Sequence, residues 1–220
     1  MKQIITKSLQ DIFSKEVILF VLKIGFGSIM ITGVFIYIFW STLSSFITSY
    51  LSWIPWEWLQ TTGAGAATIA LAYMLIIIMI SILTSLYVEP LLIKLAKKHY
   101  PNAKVVGSPN ISTSVYLSIK SGLIFLILFM FTFPIIFIPI IGQVYILWLW
   151  SIIIKEPTAY DVSSLFIANK KIVKEKTKKS RVIAMIASLF NYVPVLNIFA
   201  PVFAQILFLH NILGKDHVIS

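Results

Sequence analysis

Four stretches of this chain carry no charged residue, and proline breaks two of them near the middle. They are Ile24–Trp56, Trp58–Val88, Ser121–Ile154 and Val182–Gly214. Each exceeds the roughly 20 apolar residues that cross about 30 Å of hydrocarbon. The long centres of the first two contain no proline, whereas Pro134 and Pro139 split the third run, and Pro194 and Pro201 the fourth. Proline removes an N–H and clashes with the preceding turn, costing about 3 kcal/mol in a helix interior. Only about 13 residues, or about 20 Å of helix, lie between Ser121 and Phe133. The arms Val182–Val193 and Pro201–Leu213 are of similar length. Such arms fall short of a crossing and suit hairpins that enter and leave on one face. Lipid satisfies no hydrogen bonds, so the broken backbone has to be shielded by protein or water. Prolines that merely kink two further full spans are the competing arrangement.

Composition bounds the class. Hydrophobic residues make up 59 % of the 220 residues and charged ones 12 %, against about a quarter charged in a soluble domain. This predicts a single all-α integral membrane domain over 1–220. The formal net charge of +10 comes from cations at the ends of the apolar runs. There they face anionic lipid headgroups, each contributing about 1 kcal/mol, and nucleic acid is not expected as a partner. Cysteine is absent, which excludes disulfides and thiolate metal sites. The first apolar run is too long for a cleavable signal peptide and lacks a small-residue cleavage pattern.

The cations also orient the chain. Four of the eighteen lie in Met1–Lys23, none in Trp53–Trp58, five in Glu89–Lys120, eight in Lys155–Arg181, and one at Lys215. The turn holding Trp53, Trp56 and Trp58 carries rings that prefer the headgroup interface. Positive charge stays inside, so both termini and 89–120 are expected in the cytoplasm and the Trp turn outside. Four full crossings would leave the most basic loop outside. Two spans and two half-depth hairpins keep it inside. The expected layout is an amphipathic helix over 1–16, two spans over 17–88, a cytoplasmic loop over 89–120, hairpins over 121–154 and 182–214, and a basic cytoplasmic helix over 155–181. Ile4, Ile5, Leu9, Ile12 and Phe13 form the apolar stripe of the first helix, and Leu165, Phe166, Ile172 and Val173 that of the basic one. The broken runs are themselves alike, with Phe133-Pro134 through Gly142-Gln143 set against Val193-Pro194 through Ala204-Gln205.

Ala159-Tyr160-Asp161, the basic helix after it, and Asn191-Tyr192-Val193-Pro194-Val195-Leu196-Asn197-Ile198-Phe199-Ala200-Pro201-Val202 resemble the etoposide-induced-protein/CysZ family. Pro194, Asn197 and Pro201 match its Pro-x-x-Asn-x-x-x-Pro signature, and Pro90 to Ala96 matches a second element. The resemblance implies two long spans with two hemi-penetrating helix pairs, assembly into homo-oligomers in the bacterial inner membrane, and permeation of sulfate. Where sulfate-permease members carry an arginine pair at the entry to the first span, this chain has Ile18 and Leu19. If those arginines bind the anion in the family, this chain lacks that site or builds it from other groups.

Candidate anion-binding or pore residues follow from the hairpin arrangement. Pro201 opens a returning arm, with Asn197 before it where a turn or cap belongs. The free N–H groups and positive dipole end of that arm form an anion site without any cationic side chain. The same logic applies around Pro134 and Gly142. The candidate set is Pro134, Gly142, Gln143, Asn191, Pro194, Asn197, Pro201 and Gln205, with Lys23 and Lys120 as entrance cations. Ordinary roles compete at each position. The asparagines also satisfy broken backbone, the glutamines also bond between helices, and the lysines also snorkel to headgroups. Enzyme chemistry is not expected, and neither a cofactor nor a metal is. His99, His210 and His217 lack metal-ligand spacing, and no Gly-x-Ser-x-Gly or Walker element is present. The leading expectation is a permease or channel for an oxyanion, sulfate first. The rival is a non-transporting membrane scaffold or lipid-associating protein.

Overall fold

A computed structural model describes residues 1–50, 52, 55–132, 135, 138–178 and 180–214. Its helices are α1 (Lys2–Ile12), α2 (Lys15–Tyr50), α3 (Glu57–Tyr87), α4 (Glu89–His99), α5 (Ile111–Thr132), α6 (Ile141–Phe166), α7 (Lys170–Lys178), α8 (Arg181–Ser188) and α9 (Ala200–Leu213). Two 3-10 turns, Leu189–Tyr192 and Leu196–Phe199, join α8 to α9. No strand occurs among the described residues. Four helical stretches are long and apolar enough to cross a membrane, namely Lys15–Ser49, Glu57–Tyr87, Ile111–Phe129 and Leu196–Leu213.

The chain divides into two compact units, one made of Met1–Phe20 with the chain from Ser85 onward, the other of Val21–Thr84. In the second, α2 and α3 turn large apolar side chains outward, including Phe26, Ile29, Tyr37, Ile69, Met74 and Ile78. Ser28, Thr32, Thr68 and Thr84 are buried instead. Apolar residues outside and small hydroxyls inside is the pattern of helices solvated by lipid, where small side chains let backbones approach. Gly27 illustrates this, since a Cβ there would meet the Leu83 side chain at 3.7 Å.

The first unit is organised around α9. Every residue of Ala200–Leu213 except Pro201 is buried, because α9 is largely apolar around its circumference and packs against α1, α4, α6 and α8. Helix α4 starts with Pro90 in its first turn and buries Leu91, Leu92, Leu95 and Ala96. Its last turn carries Lys97, Lys98 and His99, where cations suit the helix dipole. Helix α1 buries Ser8, Asp11 and Ile12 against α9, while Leu9 and Phe13 stay exposed. The stripe read from its spacing is therefore split, with Ile12 turned toward protein.

The segment 155–181 is not one helix. Residues 155–166 complete α6, with Val162 and Leu165 fully buried, and α7 follows as a separate nine-residue piece. Pro157 lies inside α6. Helix α5 likewise begins at Ile111, earlier than the uncharged run that starts at Ser121. Asn110 starts it by accepting the Thr113 N–H at 3.3 Å, the behaviour of a helix N-cap.

Candidate functional site

The two proline-broken segments form the same local structure. In each, a residue donates its N–H to the carbonyl four positions back: Gly142 to Ile138 at 2.7 Å, and Asn197 to Val193 at 3.1 Å. Proline occupies the second position of both loops, as Pro139 and Pro194. A β-branched residue at positive φ occupies the third, Ile140 at 65° and Val195 at 73°. Such residues rarely adopt that conformation, and holding one there costs of order 1–3 kcal/mol. At Ile140 the turn is closed by the Ile141 N–H donating to the Pro139 carbonyl at 2.7 Å, a strained γ-turn. The equivalence aligns Pro139 with Pro194, whereas the sequence alignment paired Pro134 with it. Pro134 lies outside the described residues.

Both loops feed helix starts that lack a side-chain cap, α6 after Ile140 and α9 after Phe199, the latter with Pro201 in its first turn. The tips also touch. The Tyr192 hydroxyl donates to the Gln143 carbonyl at 2.6 Å, and its ring lies 5.1 Å from that of Trp150. The first hairpin is closed near its tip by the Tyr145 hydroxyl donating to Thr132 Oγ1 at 2.6 Å. Among the sequence candidates, this brings Gln143 near the Asn191–Asn197 segment. Gly142 is buried, Asn191, Asn197 and Pro201 half-buried, and Pro194 exposed.

Three candidates lie elsewhere. Gln205 is buried one and a half turns into α9 and is a hydrogen-bonding neighbour of the Asp161 carboxylate. Lys120 Nζ pairs with Glu156 Oε2 at 3.4 Å on the exposed flank of α5 and α6. Lys23 is exposed on α2, in the other unit.

Sequence reading missed two polar centres and one cation. At the base of the first hairpin, Asp161 accepts from Ser85 Oγ at 3.1 Å and Ser114 Oγ at 2.5 Å. Burial pushes this carboxyl up despite those bonds and Gln205. Beside it the Tyr160 hydroxyl accepts the Asn110 N–H at 3.2 Å. Asp161 belonged to the family motif, but its partners come from α3, α5 and α9 and no spacing reveals them. The cation is Arg181, half-buried at the start of α8. Its Nη1 donates to Ser151 Oγ at 3.2 Å and its guanidinium lies 5.8 Å over the Trp148 ring. That places a positive charge on the uncharged part of α6, between its ion-paired end and its tip. In the sequence Arg181 looked like the last member of a solvated basic run.

The second polar centre lies where α1, α4 and α9 meet. Asp11 Oδ1 accepts from His99 Nε2 at 2.9 Å and Lys98 Nζ at 3.2 Å, and Oδ2 pairs with His210 Nε2 at 2.8 Å. Burial raises the Asp11 pKa, but the bonds from His210, His99 and Lys98 outweigh it and hold the carboxyl well below its ordinary range. His210 Nδ1 faces the Tyr100 hydroxyl at 2.9 Å. Burial, and then the Asp11 charge, push that phenol up to about 12. Gly214 closes the helix over this centre, and a Cβ there would sit 2.4 Å from the His210 carbonyl oxygen.

The family model described as sulfate transporter CysZ/etoposide-induced protein 2.4 matches residues 4–201. No curated protein and no solved structure matches the chain. That match spans α1 through the start of α9 and includes both proline-broken loops. With its helices and its outward apolar faces, the chain is thus an all-α membrane protein and belongs to the CysZ/etoposide-induced protein family.

Proposed function

We propose that this protein passes an oxyanion of the sulfate class across the bacterial inner membrane as a homo-oligomer. The observation that carries the reading is the repeated tip loop, residues 138–142 and 193–197, which leads into two helix starts without a side-chain cap. The loops' own carbonyls take up the Ile141, Gly142 and Ala200 N–H groups, so the positive dipole end of each helix is what favours an anion there, at a moderate affinity that suits passage better than tight capture. Arg181 supplies positive charge on the approach from the basic side.

Ile111–Phe129 and Leu196–Leu213 are each long enough to cross, but Lys120 interrupts the first and the second includes a 3-10 turn, and the pieces left support half-depth insertion. Helix α8 has 8 residues and α9 has 14, about 12 and 21 Å of helix, against about 30 Å of hydrocarbon. In the first hairpin the Lys120–Glu156 pair marks a polar level. Beyond it, α5 and α6 have only about 18 and 21 Å of uncharged helix. Both hairpins then enter from the cytoplasmic face, which keeps α7, 155–181 and both termini against anionic lipid on that side. Half-depth arms do not seal a pore alone, which is why several copies are required.

Proteoliposomes carrying the purified chain are expected to take up labelled sulfate faster than empty vesicles, with phosphate and chloride as competitors. Asn197→Leu, which alters the second tip, is expected to slow uptake at least about tenfold, or about 1.4 kcal/mol in barrier. Arg181→Gln is expected to slow it less and to raise the sulfate concentration needed for half-maximal rate. A folded oligomer with no flux above empty vesicles would defeat this reading. It would leave the scaffold or lipid-associating reading, which the basic helix α7 supports.

A further inference from the structure

Asp11, His99 and His210 are separated by most of the chain, yet their ligand atoms lie within 4.8 Å of one another. Asp11 is 1 % exposed and His210 is fully enclosed, while the His99 side chain keeps 18 % of its surface. Both imidazoles aim Nε2 at one carboxylate, one at each oxygen. The rings stand edge to face, 5.0 Å apart, so the two nitrogens converge from different directions rather than stacking. Neutralising a buried carboxylate requires one cation, and Lys98 already provides it at 3.2 Å. Two further imidazoles converging on the same spot exceed that need.

We propose that Asp11, His99 and His210 form a binding site for a divalent first-row transition metal, zinc in class, that fastens α1 to α4 and α9. Two imidazole nitrogens and a carboxylate are the donor set that suits such an ion. Tetrahedral coordination at about 2.0–2.1 Å sets ligand atoms roughly 3.3 Å apart. The Nε2–carboxylate distances need to open slightly from 2.8 and 2.9 Å, and the remaining separation to close from at most 4.8 Å. Side-chain rotation suffices for both. The Tyr100 hydroxyl on His210 Nδ1 fixes the ring's direction, the outer-shell contact that ligating histidines usually have. Access is from the His99 side. A cavity of about 410 Å³ lined by Glu16, Lys94, Leu95, Lys97 and Lys98 shares Lys98 with the cluster. Lys98, 56 % exposed at its side chain, holds the position that the dication takes and swings to solvent when it binds.

The test uses tag-free full-length protein in detergent, stripped with chelator and titrated with Co²⁺. A visible d–d spectrum that saturates at one ion per chain and is displaced by Zn²⁺ is expected, with a melting temperature several degrees higher in excess Zn²⁺. His99→Ala, at the exposed edge, is expected to abolish the spectrum while the stripped protein still melts cooperatively. Tyr100→Phe, a positioning change, is expected to weaken Co²⁺ about ten- to a hundredfold. Lys98→Met separates a metal site from an ordinary ion-pair knot. It removes the competing cation, so it should tighten Co²⁺ binding, whereas a knot without metal would only lose stability. Absence of a saturable spectrum in the parent protein, or a spectrum unchanged in His99→Ala, overturns the proposal. Sulfate flux is not the readout, so this result stands apart from that of the transport experiment.

Discussion

The more apolar of two helices in this molecule is the barer one. The α3 span has a mean hydropathy of 2.6, and 12 % of its most apolar stretch is buried inside the protein. The stretch Leu196–Leu213, which contains α9, has a lower hydropathy of 1.6 and is 72 % buried. Both read as apolar runs, but they are solvated by different media. Helix α3 presents Ile69, Met74 and Ile78 outward and hides Thr68 and Thr84, whereas α9 is enclosed by four other helices of its unit. Proline explains the contrast. Helix α3 is long and unbroken and has lipid to face. The backbone before α9 is interrupted at Pro194 and Val195, where Val193, Val195 and Leu196 stay exposed, and what the protein encloses is the short helix that follows the break.

The largest effect that sharpens this contrast is a paired truncation. Phe208→Ala in α9 empties a fully enclosed site and is expected to cost about 3–5 kcal/mol. Ile78→Ala in α3, half exposed, is expected to stay within about 0.5 kcal/mol. Thermal melts of both variants in the same detergent decide it, and equal losses would break the comparison.

A smaller effect concerns Asp161, the buried carboxylate beside α9. Burial raises its pKa in the folded state above the unfolded value of about 3.9. The folded state therefore holds the proton more tightly, and stability from this group falls as pH rises from about 3.9 through the native value. Asp161→Asn does not titrate. Its cost, of order 1 kcal/mol, is expected to be larger near pH 4 than at pH 7. A pH-independent difference in melting temperature would contradict the raised value.

The smallest effect lies in the lipid-facing pair. The Thr84 hydroxyl is buried and finds no partner among the described residues. Thr84→Val is expected to be neutral or stabilising by up to about 1 kcal/mol. A clear loss of stability would mean that the hydroxyl is engaged after all, and the inside of α2 and α3 would then be held by polar bonds rather than by close packing.

The hairpin tips were legible from sequence because proline and positive φ act over four or five residues. Pro194, Asn197 and Pro201 announced a break, and the structure has turns at 189–192 and 196–199 with α9 starting at Ala200. The pairing of Pro139 with Pro194 was not legible, since two prolines in the first run offered two alignments and only the backbone geometry chose between them. Gln205, polar in an apolar run, could either line a pore or bond between helices, and spacing did not reveal its neighbour Asp161, which lies 44 positions earlier on another helix. Arg181 looked solvated for the same reason, since Ser151 and Trp148 are about thirty residues away.

Composition and local order were enough to establish a helical membrane protein with two long runs and two broken ones, because transfer from water and helix interruption depend on short stretches of chain. Which apolar helix meets lipid and which meets protein, and which polar side chains meet one another, depended on contacts between distant segments. The Asp11, His99 and His210 cluster is the extreme case. Its members span nearly the whole chain, and the geometry that makes them a site exists only once α1, α4 and α9 are packed together.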